Sequence, residues 1–142
     1  MTNATPTRTL VIERELPHPP EKIWRALTQG PLIEQWLMKN DFQPTVGHRF
    51  NFRATPVPNW DGLISSEVLV VEPNSRLSYI WSSMGLETVV TWTLTPTQSG
   101  THLKMEQSGF SIEKSSDVYY KGANWGWQKF IDNLEQVLGG SN

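Results

Sequence analysis

Through most of this chain hydrophobic and polar residues alternate with a period of two, and near its end the spacing changes to threes and fours. From Arg8 to Leu16, Leu10, Ile12 and Leu16 share one parity while Glu13 and Glu15 take the other, with Arg14 interrupting the apolar set. This pattern predicts a strand with one wet face. Pro17-His18-Pro19-Pro20 ends it, and proline suits the first turn of the helix that follows because the amides there have no intrahelical partner. Glu21 to Thr28 reads as that helix, with Ile23, Ala26 and Leu27 inward, until Gln29-Gly30-Pro31 stops it. A second helical turn, Pro31 to Trp36, is expected to set Leu32 and Trp36 on one side, and Asn40 to Val46 reads as a loop.

The period of two returns in His48 to Arg53, where Phe50 and Phe52 face one way. A turn at Asn59-Trp60-Asp61-Gly62 precedes a strand from about Leu63 to Glu72, and Pro73-Asn74-Ser75 leads into another from Arg76 to Trp81, with Leu77, Tyr79 and Trp81 aligned. Ser82 to Gly85 turns the chain into Glu87 to Thr95, with Val90, Trp92 and Leu94 on one parity. After Gln98-Ser99-Gly100 a last strand sets Leu103, Met105 and Gln107 opposite His102, Lys104 and Glu106.

Tyr120, Ala123, Trp127, Phe130, Ile131, Leu134 and Val137 then recur at helical steps between candidate caps at Ser115, Ser116 and Asp117 and terminating glycines at Gly139 and Gly140. Such a stripe from Asp117 to Leu138 needs a broad apolar surface to lie on, and the sheet supplies it. Gly122 and Gly126, one turn apart, thin this helix, either for close backbone packing or to leave room for a ligand. The expected class is α+β: a curved antiparallel sheet of about six strands wrapped around a long C-terminal helix, with two short helices after strand one. Residues 1–142 are expected to form one domain, with 1–7 flexible.

Several of these segments carry a family likeness. They are Pro19 to Thr28, Trp36, Val46-Gly47-His48-Arg49-Phe50, Glu67 to Pro73 with Arg76 to Trp81, Thr91-Trp92-Thr93-Leu94, Ser108-Gly109-Phe110 and Gly126-Trp127. In that order they resemble the activator of heat-shock protein 90 ATPase homologue-like family, within the Bet v 1-like and START-like superfamily often called SRPBCC. The likeness spans about Leu10 to Leu138. It implies a helix-grip fold with a cavity between sheet and terminal helix, in a group whose members bind lipids, polyketides, hormones and other hydrophobic molecules. Some relatives are enzymes and some act as co-chaperones in stress responses. Trp36-Leu37-Met38 stands where the family commonly has two adjacent tryptophans before a proline, and Gln107 where a histidine often precedes Gly-Phe. These departures bear on the subfamily.

Composition sharpens this picture. The 142 residues include seven tryptophans, three tyrosines and five phenylalanines, each ring able to bury roughly 150 to 250 Å². Trp36, Phe50, Phe52, Tyr79, Trp81, Trp92, Met105, Gln107, Trp127 and Phe130 are the expected walls of a ligand cavity, although each ring serves equally well as packed core. A formal charge of −2 lacks the basic footprint of a nucleic-acid binder. No apolar run approaches the ~20 residues of a membrane span, and the polar opening has no signal core, so no membrane insertion and a cytoplasmic location are expected.

Reactive chemistry finds little support. The chain has no cysteine, which excludes disulfides, thiolate nucleophiles and cysteine-ligated metals. His18, His48 and His102 lie in a proline turn, near a strand start and on an outward face, so no metal site and no cofactor are proposed. Asp41, Asp61, Glu67, Glu72 and Glu87 are scattered and read as surface charge, and Ser108 has no Gly-x-Ser-x-Gly elbow. No catalytic residue is assigned. Gln107, inward by parity, offers a neutral amide either to a ligand or to internal partners. Three functions follow: binding of a small hydrophobic or aromatic molecule, a co-chaperone-like module with a chaperone partner, or a cyclase-type enzyme in which Gln107 and Asn124 guide protons. The oligomeric state is not legible in the sequence.

Overall fold

A computed structural model describes residues 7–58, 60–111 and 117–140. The expected flexibility of 1–7 falls on residues outside this set except at Thr7, where β1 (Thr7–Leu16) begins. The helices α1 (Pro20–Thr28) and α2 (Gly30–Trp36) follow, then β2 (Lys39–Asn40), β3 (Arg49–Arg53), β4 (Leu63–Glu72), β5 (Arg76–Ser83), β6 (Leu86–Pro96), β7 (Thr101–Ser111) and α3 (Asp117–Gly140). All strand pairs are antiparallel, in the order β1-β7-β6-β5-β4-β3-β2. β2 through β7 form a meander, and the first strand closes it by pairing with the last. This curled, open seven-stranded sheet with α3 on its concave face is the expected helix-grip architecture.

The inward parities are those read from the sequence. Leu10, Ile12 and Leu16 of β1, Phe50 and Phe52 of β3, Leu77 and Tyr79 of β5, Val90, Trp92 and Leu94 of β6, and Leu103 and Met105 of β7 are all buried. They meet Trp127, Ile131, Leu134 and Leu138 of α3 in one apolar cluster. The alternation of β4 breaks between Val68 and Val70, where a bulge shifts its register against β5 and bends the sheet toward the helix. The β5–β6 hairpin turns through Met84 (φ 55°) and Gly85 (φ 79°). Two consecutive left-handed residues match the twist of the flanking strands, and the methionine accepts strain there that glycine would avoid.

Three local expectations need correction. Asn40 is not loop but half of β2, which pairs with Phe52 and Arg53 of β3 as an edge strand. In α2 the buried pair is Ile33 and Trp36, with Leu32 only partly covered, because the indole turns inward to donate to the Ala26 carbonyl at 2.8 Å. Gly139 and Gly140 are the last two residues of α3, as the sequence predicts. The strands also reach farther than their patterns, β5 to Ser83 and β6 from Leu86 to Pro96. The proposed caps at Ser115 and Ser116, and Asn59 of the turn before β4, lie outside the described residues.

Arg14, which interrupts the apolar parity of β1, proves to be the clasp between that strand and α3. Its guanidinium donates to Asp132 at 3.0 Å, Glu135 at 2.6 Å and Gln128 at 2.6 Å. The planar fork meets several acceptors at once, which a lysine could not do with the same geometry. On the opposite face of β1 and β7, His102 lies between Glu15 and Glu13, with the Glu13 contact at 2.8 Å. Hydrogen bonds to these carboxylates, Glu15 foremost, hold the His102 pKa above its usual 6.5.

A raised folded-state value means that the stabilisation from His102 is fully present below about pH 6.5 and is lost as pH rises through the folded pKa. His18 works in the opposite sense, since burial, aided by Lys22, lowers its pKa. Chemical denaturation from pH 5.5 to 8.5 should therefore show wild type losing stability relative to His102→Gln as pH rises. Parallel pH profiles would refute this role of the carboxylate pair.

Candidate functional site

A cavity of about 390 Å³ lies between α3 and the sheet, toward the N-terminal half of the helix. The sheet contributes Ile64 from β4, Trp81 and Ser83 from β5, and Gln107 from β7. Met38 and Trp60 come from the segments around β2 and before β4, and Gly122, Ala123, Gly126, Trp127 and Phe130 come from α3. These helical positions fall at steps of three and four and so form one face. The wall is mainly apolar, and among its described residues none carries a charge.

Its polar groups are joined in a chain of hydrogen bonds. The Trp127 indole N–H donates to Gln107 Oε1 at 2.8 Å, Gln107 Nε2 donates to Thr88 Oγ1 at 2.9 Å, and the Thr88 hydroxyl donates to the Trp81 carbonyl at 2.8 Å. An indole N–H can only donate, so it fixes which end of the Gln107 amide faces it. Gln107 is buried, with only 3% of its surface exposed. At the rim, Trp60 Nε1 donates to Ser83 Oγ at 3.1 Å and ties the segment before β4 to the end of β5.

Of the expected cavity residues, Trp81, Gln107, Trp127 and Phe130 are in this wall. Trp36, Phe50, Phe52, Tyr79, Trp92 and Met105 are not: they pack against one another and fill the part of the interior nearer α2 and β3. Trp36 meets Trp92 edge-on at 5.6 Å, Phe50 meets Phe52 at 5.1 Å and Phe52 lies 5.8 Å from Tyr79. Met105 is fully enclosed opposite Trp92. Tyr79 accepts from Trp92 Nε1 at 2.9 Å, and burial pushes its phenol pKa well above the ordinary value. Phe52 and Trp81, 5.1 Å apart, mark where packed core gives way to cavity, and Trp81 continues to Trp127 at 4.8 Å.

Met38, Trp60, Ile64, Ser83 and Ala123 were not foreseen as wall residues. Ile64 and Ala123 carry a signal in their strand parity and helical step, whereas Trp60 sits in a proline-rich segment without periodicity. Asn124 does not reach the wall; its side-chain oxygen accepts from Gln128 at 3.4 Å. The scattered carboxylates serve the surface. Asp41 accepts from the Asn51 amide at 2.9 Å and pairs with Arg53, which together hold its pKa low. Asp61 accepts from the Leu63 amide, while Glu67 and Glu72 pair with Arg49 and Arg76. His48 stacks on Phe50 and bonds the Asp41 carbonyl. Among the described residues no group of three or more His, Asp or Glu side chains is placed to hold a metal ion. Nor is any helix long and apolar enough to cross a membrane.

Residues 17–139 match the family described as activator of Hsp90 ATPase homolog 1-like protein. A crystal structure of a protein from Mesorhizobium loti is 54% identical over 95% of this chain and 99% of that one, with a TM-score of 0.87. DynU16, a protein of the dynemicin biosynthetic locus, is 26% identical over 92% of this chain and 47% of its own, with a TM-score of 0.77. A protein from Rhodobacter sphaeroides is 25% identical over 94% and 93% of the two chains, with a TM-score of 0.76. No curated protein sequence matches the chain.

The Gln107 relay yields a stability test. Gln107→Leu would strand the Trp127 indole N–H and cost about 1–3 kcal/mol, measured by urea denaturation. A smaller loss than about 0.5 kcal/mol would show that the relay is dispensable.

Proposed function

This chain belongs to the activator of Hsp90 ATPase homolog 1-like family, and from that premise we propose that it binds a small, uncharged, largely apolar molecule between α3 and the sheet. The observation that carries this reading is the contrast within one aromatic interior. At the α2 end the rings pack edge to face, while at the Gly122 end Trp81, Trp127 and Phe130 border about 390 Å³ of unfilled space. That volume falls near the low end of the ~300–1,000 Å³ of ligand sites. Similarity to DynU16 supports an intermediate or product of biosynthesis as the kind of molecule held.

Holding is favoured over converting. Among its described residues the wall offers no carboxylate, imidazole or amine, the groups that general acid and base catalysis draws on most. Its neutral lining also disfavours an ion, which would lose its hydration without gaining a counter-charge. Apolar burial at ~25 cal/mol per Å², less the costs of ordering, suggests dissociation constants on the order of 1–100 µM for a two-ring ligand.

N-phenyl-1-naphthylamine, a neutral dye that brightens in apolar surroundings, should bind with one-to-one stoichiometry and quench tryptophan emission. Ala123→Trp, which extends a large ring from the α3 wall into the cavity, should weaken the dye by about tenfold or more while far-UV circular dichroism stays native. Absence of dye binding in the wild type, or equal binding by a folded Ala123→Trp, would overturn the proposal.

A further inference from the structure

Gly122 and Gly126 both belong to the cavity wall and stand one helical turn apart in α3. Glycine inside a helix is less stable than alanine because its backbone loses more freedom on folding. Close approach of another element is the usual compensation. No such element is present among the described residues: beyond the adjacent backbone of α3 itself, a Cβ built at either position meets no atom within 4 Å. Gly139 and Gly140 are equally open, but they occupy the last turn of the helix, where glycine is common. Gly126 is half-buried and Gly122 exposed, so the two missing side chains in the first half of α3 widen the mouth of the cavity without serving the protein's own packing.

The wall holds a second, independent feature. Gln107 Nε2 has two hydrogens, and Thr88 takes one. The other has no acceptor among the described residues, although the side chain is almost fully buried and lines the cavity. The amide nitrogen is thus already anchored and keeps its second hydrogen for an oxygen acceptor on a bound molecule.

We infer that Gly122 and Gly126 determine the specificity of this cavity, forming a notch in α3 that admits the edge of a flat, uncharged ligand whose oxygen accepts from Gln107. The inference rests on the cavity being a ligand site, as proposed above. Cβ atoms one turn apart are spaced by roughly 5–6 Å, so their removal leaves a slot about as long as an aromatic ring is wide. Across from it, Trp81, Trp127 and Phe130 offer ring faces and edges, which favour offset or edge-on contact with a planar partner. A globular molecule of equal carbon count fits neither the slot nor the rings.

The test compares wild type with Gly122→Ala, Gly126→Ala and, as a control on the same helix outside the cavity, Gly139→Ala. Each of the first two should raise the thermal midpoint by about 3 °C and weaken N-phenyl-1-naphthylamine by about tenfold. Gly139→Ala should leave dye affinity unchanged. Two ten-carbon alcohols separate shape from size: wild type should prefer flat 2-naphthol to globular 1-adamantanol by about tenfold, and both notch variants should lose most of that preference. Unchanged dye affinity in the notch variants, a lowered midpoint, or no preference for 2-naphthol in wild type would overturn the notch while leaving the cavity reading intact. If wild type binds neither the dye nor either alcohol, the cavity reading itself fails.

Discussion

The indole N–H of Trp127, seated in the side-chain carbonyl of Gln107, governs the placement of α3 over the sheet. Apolar contact alone lets a helix slide or rotate on a concave surface, because its free energy depends on area and hardly on direction. A buried donor and acceptor tolerate no such slippage, since separation leaves both unsatisfied in a poor dielectric. The relay continues through Thr88 to the Trp81 carbonyl, so one chain of bonds ties α3 to β7, β6 and β5. It also fixes the Trp127 and Trp81 rings at 4.8 Å, where they become the inner wall of the cavity.

Once α3 is seated, the remaining volume is unequally shared. Toward α2 the space between helix and sheet is narrow, and Trp36, Trp92, Phe50, Phe52 and Tyr79 fill it with near-perpendicular contacts. Toward the start of α3 the helix presents Gly122, Ala123 and Gly126, which contribute almost no side-chain volume. Two glycines there weaken the helix by about 1 kcal/mol each relative to alanine. The interior is consequently packed at one end and hollow at the other, with aromatic rings bordering the hollow.

Electrostatics acts at the periphery. Arg14 secures the later turns of α3 to β1 through Gln128, Asp132 and Glu135, about where the cavity ends and solid core resumes. His102 and its two glutamates join the outer faces of β1 and β7, the pair that closes the sheet. Neither cluster reaches the neutral cavity wall, so charge holds the sheet and helix together from outside the cavity.

Most of the architecture was legible in the sequence because the two periodicities carry it. A period of two with turns between predicted each long strand and its inward face, and the helical stripe predicted α3 and most of its buried positions. Those signals are local, and antiparallel hairpins convert local order directly into sheet order. The exceptions are equally physical: β2 is two residues long and exists only through pairing with β3, and Ile33 displaces Leu32 because the Trp36 indole seeks the Ala26 carbonyl. Parity gives the face a side chain takes but not its distance from the helix, so it could not separate Trp92, which is packed, from Trp81, which borders space. That division was decided only by tertiary structure, as was the meeting of Arg14 with carboxylates more than a hundred residues away. Depth along the sheet depends on how closely α3 approaches at each point, and that approach is set by side-chain volumes and hydrogen bonds from segments distant in the chain.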